Sequence, residues 1–378
     1  MAQNISFEQA VELARSGDPE AQYALSSVLH QRQQFDESLR WLRTSAARGF
    51  APARMTLATL LIDGRHCARD RQQAIDLLQP LAARDAQAHL LLAELHGFAA
   101  LGGESREKAL RHLLSAARLG EPGSMRQLAL LAACQQRWDL VRPLQEALAR
   151  RPSTIDWAAL AGSLPQLASP IPLPPPERLH EAPLIRRFPR AIPPLVVKMI
   201  IDLAAPLVKR SQIVDAVSGE VRADPMRTSS HVTLGPRQHD HVLEALERCI
   251  GGVASVPPLN AEFLQILRYR PGEEFRPHVD YFNESGASAY RSLADGGQRA
   301  QTVLIYLNEE YTGGSTAFPS LHIDVKGACG DLLHFHNVDA AGVGHRDSLH
   351  AGTPVVTGEK WLLSQWIRQD TYPARLRW

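Results

Sequence analysis

The sequence predicts a multi-domain α + β protein: an N-terminal α-helical repeat solenoid followed by a β-sandwich of the jelly-roll kind. Three observations carry the prediction. A motif recurs at spacings of 33, 36 and 34 residues within the first 160 positions. Ten of the 26 prolines then crowd into positions 165–194. Beyond them, short apolar runs bounded by Gly, Pro or Asn replace the helical pattern. A length of 378 residues suits two or three domains of about 100–200 residues each.

Composition narrows the function classes. The chain is 44% hydrophobic and 21% charged, with Lys+Arg 41 against Asp+Glu 40 and a net charge of +1. That balance makes no global field for nucleic acid or an anionic membrane, so neither partner is expected. Cys67, Cys134, Cys249 and Cys329 lie far apart without a C-x-x-C pair, which fits a reducing compartment. The first residues lack a basic segment followed by an apolar one, and no run of about 18 apolar residues occurs. A soluble, cytoplasmic protein is expected.

Residues 1–160 are rich in the helix formers Ala, Leu, Arg and Gln. Ser6 and Gln9 read as a capping box opening the first helix. Ala14-Arg15-Ser16-Gly17-Asp18-Pro19-Glu20-Ala21 is echoed by Ala47-Arg48-Gly49-Phe50-Ala51-Pro52-Ala53, by Ala83-Arg84-Asp85-Ala86-Gln87-Ala88 and by Ala117-Arg118-Leu119-Gly120-Glu121-Pro122-Gly123. A period near 34 belongs to stacked helix-turn-helix units, each of which needs a neighbour to bury its apolar face. Asp70 to Ala74 with Leu77, Leu78, Leu81, Ala82 and Ala83 resembles the second half of a Sel1-like repeat, a relative of the tetratricopeptide (TPR) repeat.

Residues 161–194 follow as a Pro-rich linker, with Pro174-Pro175-Pro176 at its centre. Proline fixes φ and removes a donor, so an extended, semi-stiff connector is expected rather than helix or central strand. Residues 195–378 form the last domain. A short helix around Leu195–Leu207 precedes strands at Glu262–Tyr269, Thr302–Leu307 and Lys360–Ile367. Many short strands favour a sandwich over a doubly wound sheet, and no nucleotide-binding glycine motif is present.

Chemistry enters with His278-Val279-Asp280. On a strand, residues two apart share a face, so this pair can grip one ion. His322-Ile323-Asp324 and His345-Arg346-Asp347 have the same spacing, so spacing alone does not choose. A two-His-one-carboxylate site needs a third ligand from a distant strand. His350 lies about 70 residues beyond His278, enough to wind once round a jelly roll. Lys360, one of only five lysines, follows by one strand and a turn. An inward ammonium there would pair with the carboxylate of a diacid ligand. Thr312 to Pro319 is a Gly-rich turn expected to close a hairpin.

Taken in order, these stretches resemble the prolyl 4-hydroxylase-type Fe(II)/2-oxoglutarate dioxygenase domain, whose fold is a double-stranded β-helix (jelly roll). The matching segments, between about 183 and 369, are Arg227-Thr228-Ser229-Ser230, Leu267-Arg268-Tyr269, Pro277 to Phe282, Gly313 to Pro319, Gly330 to Asn337 and Ser348 to Trp361. Asn283 to Gln298 resembles the loop that follows the His-x-Asp strand.

The resemblance implies an enzyme in which His278, Asp280 and His350 hold Fe(II). It implies that Lys360 pairs with the distal carboxylate of 2-oxoglutarate, with Tyr269 and Thr302 as supporting donors. Arg227, Trp366 and Arg368 are candidate substrate-wall residues, and Phe275 and Arg368 replace the Tyr and His that peptidyl-proline hydroxylases often carry. The implied reaction consumes O2 and 2-oxoglutarate, releases succinate and CO2 and hydroxylates an unactivated C–H bond, with L-ascorbate as a candidate accessory. The expected substrate is a prolyl or other residue of a protein or peptide, recruited by the helical repeats. A free amino acid or small molecule, or a non-catalytic repeat-based adaptor, remain the alternatives.

Overall fold

The computed structural model describes residues 7–100, 106–214, 221–223, 226–235, 238–282 and 293–376. Two compact units divide the chain: one takes residues 1–128, 148–151 and 156–164, the other 129–147, 152–155 and 165–378.

In the first unit the recurring motif is the turn of a helical hairpin. Its first three copies join α1 (Phe7–Ser16) to α2 (Pro19–Gln31), α3 (Phe35–Ala47) to α4 (Ala51–Asp63) and α5 (Arg71–Leu78) to α6 (Ala86–Ala100). The fourth follows α7 (Arg106–Arg118). The glycine is there for its backbone: Gly17, Gly49 and Gly120 have φ of 100°, 90° and 88°, open to glycine without strain. Asp18 then caps α2, accepting from the N–H groups of Glu20 and Ala21, with Pro19 in the first turn. Arg48 of the second copy donates to the Gly17 carbonyl of the first at 2.8 Å, which stitches successive hairpins. Leu42, Leu57, Leu61, Leu78 and Leu92 form one continuous core, with Ala53, Ala74 and Ala88 letting the helices approach closely. Each buried leucine contributes roughly 1.5–3 kcal/mol. Ser6 of the expected capping box lies outside the described residues.

The prolines do not make a bare connector. After α8 (Pro122–Cys134), α9 (Trp138–Leu148) and α10 (Trp157–Gly162) comes α11 (Leu164–Ala168), with Pro165 in its first turn, where no N–H is missed. Strands β1 (Glu177–His180) and β2 (Ile185–Phe188) then pair with each other. The sheet therefore begins at Glu177, ahead of the boundary expected at 194, because Pro183 and Pro189 fall outside the strands and leave the ladder intact. α12 (Pro194–Ala204) is the helix expected near 195–207.

The remaining strands are β3 (Lys209–Arg210), β4 (Gln212–Val214), β5 (Val221–Ala223), β6 (Ser230–Thr233), β7 (Gln265–Tyr269), β8 (Phe275–His278), β9 (Arg299–Tyr306), β10 (Tyr311–Gly313), β11 (Thr316–Phe318), β12 (Ile323–Val325), β13 (Leu332–His336), β14 (His350–Gly352), β15 (Val355–Gly358) and β16 (Lys360–Arg368). An eight-stranded sheet runs β1-β2-β13-β9-β16-β7-β6-β3, and a four-stranded sheet β12-β11-β14-β8. From β7 onward the chain crosses repeatedly between the two, which is the winding of a jelly roll. Leu267, Leu304, Tyr306, Leu333 and Phe335 of the large sheet meet Phe318 and Val325 of the small one in a shared core. A further helix, α13 (His241–Ala254), is buried along almost its whole length.

The Gly-rich turn does something other than close a hairpin. β10 pairs with β15, whereas β11 pairs with β12 and β14. Gly313 and Gly314, at φ of 67° and 63°, carry the chain from one pair to the other. A Cβ on Gly313 would lie 2.4 Å from the Pro354 carbonyl oxygen, so only glycine fits. No helix among the described residues is long and apolar enough to cross a membrane.

Candidate active site

Antiparallel pairing of β14 with β8 sets His350 directly across from His278. Asp280 follows two residues after His278, just past the end of β8. The ligand-type atoms of His278, Asp280 and His350 all lie within 4.8 Å of one another. His278 Nε2 is 3.6 Å from Asp280 Oδ1, and His350 Nε2 is 3.6 Å from Asp280 Oδ2.

The backbone chooses the tautomers. His278 Nδ1 donates to the Arg276 carbonyl at 2.8 Å and His350 Nδ1 to the Ser348 carbonyl at 3.0 Å. A carbonyl only accepts, so each Nδ1 carries a proton and each Nε2 is the nitrogen turned toward Asp280. Burial, and then the nearby His350, push the His278 pKa down to about 4, keeping that ring neutral. Burial alone would raise the Asp280 pKa, but His350, His278, the Thr302 hydroxyl and Arg299 together hold it below the usual carboxylate range. Two imidazoles and one carboxylate are the donor set that suits Fe(II) with open positions. Phe275 stacks on His278 at 3.5 Å between ring centroids and fixes the ring plane.

A cavity reaches this triad. Arg227, Tyr269, Lys360 and Trp366 of the sequence-predicted residues line it, with Gln265, Thr316 and Ser364 added. Lys360 is 2% exposed, and burial pushes its ammonium pKa down to about 7, opposed by Asp324. Its Nζ lies 5.4 Å from the Tyr269 ring centroid and 5.5 Å from that of Tyr306.

Two expected residues act elsewhere. Thr302 does not line the cavity: its hydroxyl donates to Asp280 Oδ2 at 2.7 Å and accepts from Asn337 Nδ2 at 2.8 Å. The hydroxyl is thus spent on Asp280 and Asn337 and does not face the cavity. Arg368 is no substrate wall either. It is buried, donates to Glu262 Oε1 at 2.7 Å and to the Gly297 carbonyl at 2.7 Å, because a buried guanidinium needs a carboxylate more than it needs the cavity. His334 is a core histidine held between Arg186 and Gln301. Asn337 and Thr316 were missed; nothing in their spacing marks them. Residues 283–292 of the expected loop lie outside the described residues.

Comparison with known proteins finds likenesses over both parts of the chain. Residues 264–368 match the model of the 2OG-Fe(II) oxygenase superfamily. The chain is 33% identical to "Probable prolyl 4-hydroxylase 8" of Arabidopsis thaliana over 192 residues, 46% of this chain and 64% of that protein. It covers 62–64% of the length of the first three curated relatives it matches. Among solved structures, the viral collagen prolyl hydroxylase of Paramecium Bursaria Chlorella virus-1 aligns with a TM-score of 0.38 at 23% identity, over 49% of this chain and 95% of that one. A Sel1 repeat protein from Oxalobacter formigenes aligns with a TM-score of 0.27 at 25% identity, over 31% and 92% respectively. Residues 264–368, within the second unit, are thus similar to the 2OG-Fe(II) oxygenase superfamily.

Proposed function

We propose that this chain catalyses the Fe(II)- and 2-oxoglutarate-dependent hydroxylation of a prolyl residue in a protein or peptide, with succinate and CO2 as co-products. The observation that carries the reading is the convergence of His278, Asp280 and His350 on a cavity that also holds the buried Lys360. Iron bound by this triad would supply oxidising power drawn from O2 and the co-substrate, which no side chain can provide.

The chain's own residues do the rest. His278, neutral through burial, and His350 turn Nε2 toward the proposed metal position, and Asp280 is kept anionic by its neighbours. Lys360, desolvated and unable to reach bulk water, gains most by taking the distal carboxylate of 2-oxoglutarate, with Tyr269 beside it. Phe275 shields one face of His278. Arg227 and Trp366 remain as the substrate-facing wall. The prolyl assignment draws on the names of the similar plant proteins. L-ascorbate is the reductant that keeps iron ferrous between turnovers, the first unit recruits the protein substrate, and the setting is cytoplasmic.

Purified protein supplied with Fe(II), ascorbate, 2-oxoglutarate and a proline-containing peptide should release succinate and leave the peptide heavier by one oxygen. An active His278→Ala variant would overturn the ligand assignment. A protein substrate should show a lower KM than a short peptide bearing the same site; equal values would remove the recruiting role of the repeats.

A further inference from the structure

Beyond the cavity lining lies a cluster of charge and aromatic rings that the reaction itself does not use. Glu262 accepts from Arg299 through both oxygens, Nε at 2.7 Å and Nη2 at 3.0 Å, and from Arg368 Nε at 2.7 Å. The Arg299 guanidinium lies 3.5 Å from the centroid of Trp366, the indole that faces the cavity. Phe282, two residues past Asp280, has Arg299 and Arg368 at 4.9 and 4.7 Å from its ring centroid. Gln298 grips the Phe282 backbone, accepting from its N–H at 2.6 Å and donating to its carbonyl at 2.9 Å.

The arrangement is costly enough to need a reason. The register of β9 and β16 shifts between Ile367 and Arg368, which sets Arg368 opposite Arg299. Like charges directly opposite are destabilising, and the forked contact to the Glu262 carboxylate offsets the repulsion. What the cost secures is a guanidinium clamped in one plane against one face of Trp366. The indole N–H of Trp366 has no partner among the described residues, so nothing else on that ring fixes its angle through a hydrogen bond.

We infer that Arg299 is a positioning residue of the oxygenase site: braced by Glu262, it backs the Trp366 indole and sets the wall against which substrate lies. This rests on the reading under Proposed function. Arg299→Lys keeps the charge and removes the planar fork. It should raise the KM for a prolyl peptide by about tenfold, the scale of a well-formed cation–π contact. The KM for 2-oxoglutarate, whose distal carboxylate goes to Lys360, should change less than the KM for the peptide. In a Trp366→Phe background the same substitution should add less than about twofold, because the residue acts through that ring. Additive effects in the double variant would overturn the inference, as would an unchanged peptide KM.

Tryptophan emission gives a readout independent of turnover. The contribution of Trp366, taken as wild type minus Trp366→Phe, should shift in Arg299→Lys; an unmoved band would overturn the inference. Should Arg299→Lys fail to fold, Glu262→Gln tests the same brace by the same two readouts. If the wild-type protein releases no succinate, the oxygenase reading falls, and the emission band still decides whether Arg299 fixes the indole.

Discussion

Two His-x-Asp triplets sit on the same small sheet and meet opposite fates. His278 ends β8 and Asp280 lies just past it, half-buried and buried, with the imidazole of His350 across the ladder. His322 and Asp324 flank the start of β12 and are both exposed, His322 in the left-handed region at φ 53°. Among the described residues β12 pairs only with β11, which offers Thr316, Ala317 and Phe318. The spacing is identical and the neighbours are not. A metal site is made by what lies across the ladder, since cross-strand neighbours are the closest groups a strand residue has.

Substituting the two histidines breaks the comparison most sharply. His278→Ala should cost more than the about 10–100-fold in metal affinity typical of losing an outer partner, and should stop succinate release. His322→Ala should leave Mn(II) binding and turnover within about twofold, as surface changes do. Equal losses from both would erase the distinction.

Next in size is the cation. Lys360→Ala should raise the Kd for 2-oxoglutarate by about a hundredfold, within the range for truncating a buried charge pair. Lys326→Ala, whose Nζ donates to the Tyr311 carbonyl at 2.7 Å, is the control and should change that Kd little. Thr302→Val comes third. It removes the hydroxyl from Asp280 and should weaken Mn(II) binding by about tenfold with Thr302→Ser restoring it; weakened 2-oxoglutarate binding at full metal affinity would return Thr302 to its expected role.

The smallest effect is a pH dependence. The ammonium of Lys360 titrates near 7 when the cavity is free of ligand, and a bound carboxylate needs it charged. Binding above that pH therefore takes up a proton, and the Kd should rise about fivefold from pH 7 to pH 8. Calorimetry in buffers of different ionisation enthalpy reads the uptake directly. Asp324→Asn removes the carboxylate that supports the Lys360 proton and should move the rise to lower pH, giving the second triplet a part in the first one's chemistry.

Much of this was legible in the residues. The runs at Thr302–Leu307 and Lys360–Ile367 are strands because apolar, β-branched stretches bounded by turn residues have few other options. The triad followed from order along the chain and the need for a remote third ligand. Partner choice was hidden. Whether the Thr302 hydroxyl meets a ligand or a co-substrate depends on which of two acceptors lies nearer. Arg368 looked like a cavity residue because its carboxylate, Glu262, is 106 positions away. The prolines at 165–194 speak against helix or central strand, yet β2 pairs on both sides because a strand tolerates proline at either end.

The cross-ladder register of His278 and His350 has a consequence for how the domain matures. Side chains on a strand alternate sides with every position, so sliding β14 by a single place would swing its imidazole out of the cavity. Iron held as proposed would therefore be retained only by chains whose small sheet has zipped in this register.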